Sequence, residues 1–343
     1  MKKILAISGA LLLSLGILVS CQNDDWEFPD FDYTTAYFPY QFPVRTLVLG
    51  DYYFDNSNDN AHKFMVSATI GGVYENEKEV TVDIVVDETL TQNLYNGNTG
   101  GLPVKAMPSS YYTLGSSQIV IPKGQTFGMV EVQLTDAFFA DTLAIGQHYV
   151  IPLRMVSAST DSVLQGQPGV SNPDPRVASN WVIAPKNFTL FGVKYVNEYH
   201  GKYLLRGGSV IKDATATPTD TIVYRQVYVE RNPVVSVNTN SLNSVTYSNT
   251  IRASAGSPGT FKMLITFDES GNGVITNSED TPVFPVTGTS KFVKGAEEWG
   301  NEKRDVIYLD YQITEGTNTH HVADTLVFRD KAVKFEEFKP VVQ

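Results

Sequence analysis

Residues 79–87 read EVTVDIVVD, with Val80, Val82, Ile84 and Val86 at every second position. A period of two puts those four side chains on one face of an extended chain, because successive residues of a strand point to opposite sides. A helix would need apolar residues three and four apart. The pattern returns in MVEVQLTD (129–136), which aligns Val130, Val132 and Leu134. It returns again in HYVIPLRMVSA (148–158), which aligns Tyr149, Ile151, Leu153 and Met155. One buried and one wet face per strand predicts a sandwich of antiparallel sheets, here of immunoglobulin-like form. YNGNTGG (95–101) and PKGQ (122–125) supply the glycines and asparagines of turns. Only DAFFADTLAIG (136–146) has the spacing of a short helical turn.

The alternation breaks at VLQGQPGVSNPDPRVASNW (163–181), where Pro168, Pro173 and Pro175 favour a long loop. It resumes in TIVYRQVYVERN (221–232), FKMLITFDESGNGVIT (261–276), RDVIYLDYQIT (304–314) and ADTLVFRDKAVKFEEF (323–338). At least seven strands in about 150 residues predict a closed or nearly closed antiparallel β-barrel of lipocalin-like form, or a second sandwich. The expected domains are residues 35–192 and 193–343, and the whole is all-β. Composition agrees. Tyr and Phe number 18 each, and only 18% of residues are charged, a balance that favours strands.

The net charge is −11. An acidic chain does not favour nucleic acid or anionic headgroups, so no nucleic-acid partner is expected. The single cysteine, Cys21, permits no disulfide within the chain. It follows a basic start, Met1-Lys2-Lys3, and an apolar run from Ile4 to Val19, which is short for a spanning helix and reads as a secretory signal. Leu18-Val19-Ser20-Cys21 resembles the lipobox of bacterial lipoproteins. That resemblance implies cleavage after residue 20, lipidation of Cys21, and a tether over 21–34 holding the protein to a membrane it does not span. Loss of Lys2 and Lys3 takes the charge from −11 to −13. The acidic run Asp24-Asp25-Trp26-Glu27 resembles the export signal of Bacteroidetes surface lipoproteins, implying an outer-membrane address facing the cell exterior.

TAYFPYQFPVRTLVLGD (35–51), IGGVYENEKEVTVDIVVDETL (70–90), YYTLGSSQIVIPKGQ (111–125) and LTDAFFADTL (134–143) resemble the N-terminal domain of unknown function of Bacteroidetes surface lipoproteins. The same domain type precedes the catalytic domain of some chitinase-like endoglycosidases. NEYHGKYLLRGG, FVKGAEEWGNEKRDVIYLDY and DTLVFRDKAVKFEEF resemble a C-terminal domain often paired with it. The resemblance implies a glycan-binding role in a polysaccharide-utilisation system, beside an outer-membrane transporter. No catalytic barrel follows in this chain, so the relatives' hydrolysis does not carry over.

Residue patterns add candidates without adding a reaction. Sugar rings offer apolar C–H faces to aromatic side chains and hydroxyls to amides and carboxylates. GAEEWGNEKRD (295–305) offers Trp299 beside Glu297, Glu298, Asn301 and Arg304, at an expected hairpin tip. GDYYFDNSNDN (50–60) offers Tyr52, Tyr53, Asp55 and Asn58. DESGNGVITNSE (268–279) places Asp268, Ser270, Asn272, Gly273 and Glu279 at the spacing of an EF-hand calcium loop. The strand-like FKMLITF before it and the Gly-Asn-Gly in its middle read instead as a hairpin. His62, His148, His200, His320 and His321 show no zinc spacing. His320 and His321, adjacent in a strand, face opposite sides. No nucleophile elbow, phosphate loop or dinucleotide fingerprint occurs, so neither a cofactor nor an enzyme is expected. The rival expectations are an adhesin-like protein binder, a barrel carrying a small apolar ligand, and a hydrolase whose site has no motif.

Overall fold

The computed structural model describes residues 31–343. The signal, Cys21 and the first residues of the tether lie outside the described residues. Among the described residues, no helix is long and apolar enough to cross a membrane.

The N-terminal domain packs two sheets face to face. One runs β9 (Ser162–Val163), β1 (Thr35–Tyr37), β3 (Lys63–Gly71), β7 (Phe127–Leu134), β5 (Tyr112–Leu114). The other runs β2 (Pro43–Val48), β10 (Phe188–Val196), β8 (Tyr149–Ala158), β4 (Val80–Val86), β6 (Gln118–Ile121). The alternating residues form the core between them. Val80, Val82, Ile84, Ile119, Ile121, Ile151, Leu153 and Met155 meet Phe64, Val66, Ala68, Val130, Val132 and Leu134. Val86 departs from its pattern and lies exposed at the end of β4. The sheets also differ from the wholly antiparallel expectation. β2 pairs parallel with β10, and β1 with β9. Each pair joins segments far apart in the chain, where no hairpin constrains the direction. Residues 136–146 form α2 (Asp136–Ala140) and a 3₁₀ turn, Thr142–Ile145, which bury Phe138, Phe139 and Ala144.

The C-terminal domain is a closed antiparallel barrel, not a second sandwich. Its eight strands are β11 (Gly201–Lys212), β13 (Val234–Thr239), β14 (Ser244–Thr250), β15 (Thr260–Phe267), β16 (Asn272–Asn277), β17 (Val286–Trp299), β18 (Glu302–Glu315) and β19 (Asn318–Asp330). β19 returns to pair with β11, and β12 (Pro218–Tyr224) flanks β11 at one end. Closure removes the sheet edges that an open meander would expose. Side chains fill the interior: Tyr203, Leu205, Tyr247, Met263, Ile265, Ile307, Leu309 and Leu326. A hollow beside Ser209 and His320 holds about 10 Å³ of free space, room for roughly one water. Asp324 is buried within the wall, where Tyr224 and Tyr311 donate hydroxyl hydrogens to it at 2.6 and 2.8 Å. Burial pushes its carboxyl up from the ordinary range.

The expected boundary at 193 falls inside β10, whose Val193 and Tyr195 belong to the N-terminal core. The strand FTLFGVKYV, buried on both faces over most of its length, runs on without a break to Val196, so the junction is the turn Asn197–His200. Asn197 is fully buried there. Its side-chain amide donates to the carbonyls of Ser241 and Ser244, at 2.8 and 2.9 Å. The chain crosses back after the barrel. Buried Lys331 donates to the Glu198 carbonyl at 2.6 Å. Then β20 (Glu336–Glu337) pairs with β2, and β21 (Pro340–Val342) pairs with residues 94–96. Phe338 sits in a small core with Phe42, Val44, Leu90, Leu94 and Phe188. The last twelve residues thus fasten the barrel to the sandwich.

Candidate functional site

β20 pairs with β2 at only two positions, Pro43 with Glu337 and Val44 with Glu336. Residues 333–335, just upstream, leave the edge of β2. The wedge between them opens into a cleft of about 500 Å³. Tyr40, Tyr52, Tyr53, Phe54 and Phe335 line it, over a floor of Pro43, Val44, Val48 and Phe191. Tyr40 and Phe335 have ring centroids 5.4 Å apart, and Tyr53 lies 4.3 Å from Tyr52 and 4.2 Å from Phe54. Tyr53, Phe54 and Phe335 are 74%, 64% and 65% exposed. A contiguous group of open aromatic rings is unusual on a protein surface and marks a contact site.

The loop after β2 replaces its missing neighbour strand. Asp59 is buried and accepts from the Val48 N–H at 2.9 Å and from the Arg45 guanidinium. Asn56 donates to the carbonyls of Val48 and Gly50, both at 2.7 Å. Asn60 accepts from the Gly50 N–H at 2.9 Å. Gly50 itself has φ of +82°, and a Cβ there would lie 2.3 Å from Cβ of Glu198, so only glycine fits. These bonds hold both ends of the 50–60 loop, at Gly50 and at Asn56–Asn60, which brackets the three rings at 52–54.

Charges in the cleft balance, with Arg45 and Lys334 against Asp55 and Asp59. Burial pushes the Asp59 carboxyl up against the pull of Val48 and Arg45. Ser57 holds the Asp55 carboxyl below its ordinary value. Burial, then Tyr53, raises the Tyr52 phenol, which therefore stays a donor at neutral pH. Aromatic walls with a few fixed polar groups at the base suit a ring that is apolar on its faces and hydroxylated at its rim.

Of the residues singled out in the sequence, Tyr52, Tyr53 and Asp55 line this cleft. Asn58 lies beside it on the short helix α1 (Ser57–Asn60) and does not. The other group is elsewhere, at the tip of the β17–β18 hairpin. Gly300 and Asn301 both have positive φ, 64° and 63°, and form its two-residue turn. Trp299 packs against Leu204, Val306 and Val327 on the barrel's outer wall, and its indole N–H donates to the Phe328 carbonyl at 3.1 Å. The Arg304 guanidinium covers the ring at 4.5 Å from its centroid and pairs with Glu302. Glu297 faces Arg206, while Glu298 is exposed. Lys294, just before this hairpin tip, donates to Asp51 beside the aromatic loop at 2.8 Å.

Residues 268–271 are the turn of the β15–β16 hairpin. The Asp268 carboxylate accepts from the Ser270 and Asn272 N–H groups, both at 2.9 Å, and Glu279 lies past the far end of β16. No three metal-ligating side chains cluster among the described residues. His320 points into the barrel beside Glu315, at 2.7 Å, while His321 faces outward. His62 stacks on Phe139, and His200 accepts from the Thr239 N–H. Tyr40, Arg45, Phe54, Asp59 and Phe335 complete the cleft and were not singled out. Phe54 and Asp59 lie within the quoted 50–60 stretch, but nothing local signals Phe335.

A solved structure from Bacteroides ovatus, a protein of unknown function, is 39% identical over 91% of this chain and 100% of its own length, with a TM-score of 0.85. The chain belongs to the family of that protein. Within the family's two-domain plan, residues 198–332 match a domain of unknown function, DUF5627, and residues 31–162 match a second family model, described as an N-terminal domain. Two further Bacteroides ovatus structures cover most of the chain at lower likeness. One, of unknown function, has 15% identity and a TM-score of 0.44 over 89% of this chain and 100% of its own. The other, a multidomain protein including DUF1735, has 14% and 0.43 over 87% and 94%. No curated protein matches the chain.

Proposed function

We propose that this is a non-catalytic, lipid-anchored cell-surface protein that binds a glycan in the aromatic cleft. The observation that carries the reading is the group of exposed rings, Tyr40, Tyr53, Phe54 and Phe335, held open around the Arg45–Asp59 pair. Stacking on sugar C–H faces would repay the exposure of those rings. The lipobox-like Leu18-Val19-Ser20-Cys21 and the acidic residues after it support an outer-membrane anchor facing the exterior. An outer-membrane glycan importer is then the expected neighbour.

Isothermal titration against a panel of plant and host glycans tests the binding. A bound glycan whose affinity drops at least about tenfold with Tyr53→Ala or Phe335→Ala supports the reading, a change of about 1.4 kcal/mol. Silence across the panel from folded protein sinks it. Labelled palmitate should enter the wild-type protein and not Cys21→Ser; equal labelling removes the anchor.

A second reading has its own observation. β12 sits at the end of its sheet, with Val223 74% exposed and Val227, just beyond it, 87% exposed. An open edge can add a partner's strand, which would make the protein adhesin-like. A stoichiometric partner from outer membranes, lost on Val223→Lys, would favour it.

A further inference from the structure

A second hollow, of about 260 Å³, lies between the two domains across the segment 332–336 from the cleft. Lys194, His200, Asn238 and Glu336 line it, and Thr46 and Val333 line both hollows. Its chemistry is the complement of the cleft's. It carries no aromatic wall beyond the imidazole, but an ammonium, a carboxylate, an amide and an imidazole within one small space. The Glu336 carboxylate is held by Lys194 and Gln147, both at 2.6 Å. The His200 Nδ1 accepts from the Thr239 N–H at 3.1 Å, which leaves Nε2 as the donor nitrogen of the neutral ring.

The segment between the hollows is fixed at both ends. Lys331 is bonded to the Glu198 carbonyl upstream, and Glu336 is held as just described downstream. The spacing of the two hollows is therefore set by the fold.

We propose that the cleft and this crevice are successive subsites for one oligosaccharide. One ring stacks between Tyr53 and Phe335, and a neighbouring ring places its hydroxyls against Asn238, His200 and Glu336. This rests on the cleft reading and adds that the ligand is a chain, not a single sugar.

The test titrates glucose, xylose, mannose and N-acetylglucosamine, with their β-linked di-, tri- and tetrasaccharides, into wild type, Asn238→Ala, Asn238→Trp and Tyr53→Ala. Asn238 is exposed, so its replacement leaves the core alone, and the melting temperature checks this. The expected result is at least about tenfold tighter binding of a longer sugar than of its monosaccharide. Asn238→Ala should weaken that gain and Asn238→Trp abolish it, with the monosaccharide unaffected. Equal affinity for all lengths, or a length gain untouched in both Asn238 variants, overturns the two-subsite proposal while leaving the cleft reading standing. Binding that survives Tyr53→Ala unchanged, or no binding of any sugar by wild type, overturns the cleft reading and this proposal with it.

Discussion

Phe338→Ala should undock the C-terminal segment without unfolding either domain. Phe338 is 4% exposed, and its ring lies edge-on to Phe42 with centroids 5.4 Å apart. A buried phenylalanine removes about 150–250 Å² from water, worth roughly 4–6 kcal/mol at about 25 cal/mol per Å² as an upper bound. Phe→Ala changes in cores fall at about 3–5 kcal/mol. The rest of the segment has little to set against that loss. β20 contributes two paired residues, β21 three, and Glu336 a mostly buried ion pair with Lys194 plus a bond from Gln147. Such bonds are worth only about 0.5–1.5 kcal/mol each net, against about 1–2 kcal/mol per residue to order the backbone. Removing the phenyl ring should therefore free the segment and swing Phe335 away from the cleft. Hydrogen exchange reads this directly. Amides of 336–342 should exchange at least about a hundredfold faster, the equivalent of about 3 kcal/mol, while those of β18 keep their protection. Unchanged protection of 336–342 would refute the reasoning. So would equal loss in the barrel, since it would mean that the tail is not a separate unit.

Other consequences are open to simpler assays. Burial, then the charge of Lys331, drives His200 down to about 4 from 6.5. The unfolded chain takes up the proton first as pH falls, so stability is lost from pH ~6.5 toward 4, by up to about 3 kcal/mol. Urea midpoints across that range should fall less steeply in His200→Gln than in wild type, and parallel curves would contradict this. Trp299→Ala strips a cover from Leu204 and Val327. It should lower stability by about 2–4 kcal/mol while leaving glycan affinity within about twofold; a selective loss of affinity at unchanged stability would move the site to the hairpin tip. Millimolar calcium should leave the melting temperature unchanged, because hairpin N–H groups already occupy the Asp268 carboxylate; a rise of several degrees, lost in Asp268→Ala, would restore a cation site.

Strands and barrel were legible because a pleated chain writes its burial at period two. Val80, Val82 and Ile84 state which face is inside without help from the rest of the molecule. Turns were legible where chemistry forces them, as at Gly300-Asn301 and around Gly271. The tail was not. KFEEF breaks the alternation by placing Phe335 and Phe338 three apart, but nothing in it says that Phe338 is buried in the other domain's small core while Phe335 stands open. The cleft was half legible. Tyr52 and Tyr53 announce themselves, but their counterpart Phe335 is some 280 residues away, and only topology brings them together. Trp299 shows the reverse limit. Its setting of Glu, Asn and Arg looks like a sugar platform in one dimension, yet Arg304 covers the ring and the Phe328 carbonyl takes its N–H.

Saturation-transfer NMR is the most direct test of the claim that open rings in the wedge between β2 and residues 333–335 receive a sugar. Saturating the protein's aromatic protons in the presence of a panel glycan should pass signal to the C–H protons of one sugar ring. The transfer should fade in both Tyr53→Ala and Phe335→Ala and persist in Trp299→Ala. Transfer that survives in the first two variants and vanishes in the third would contradict the account.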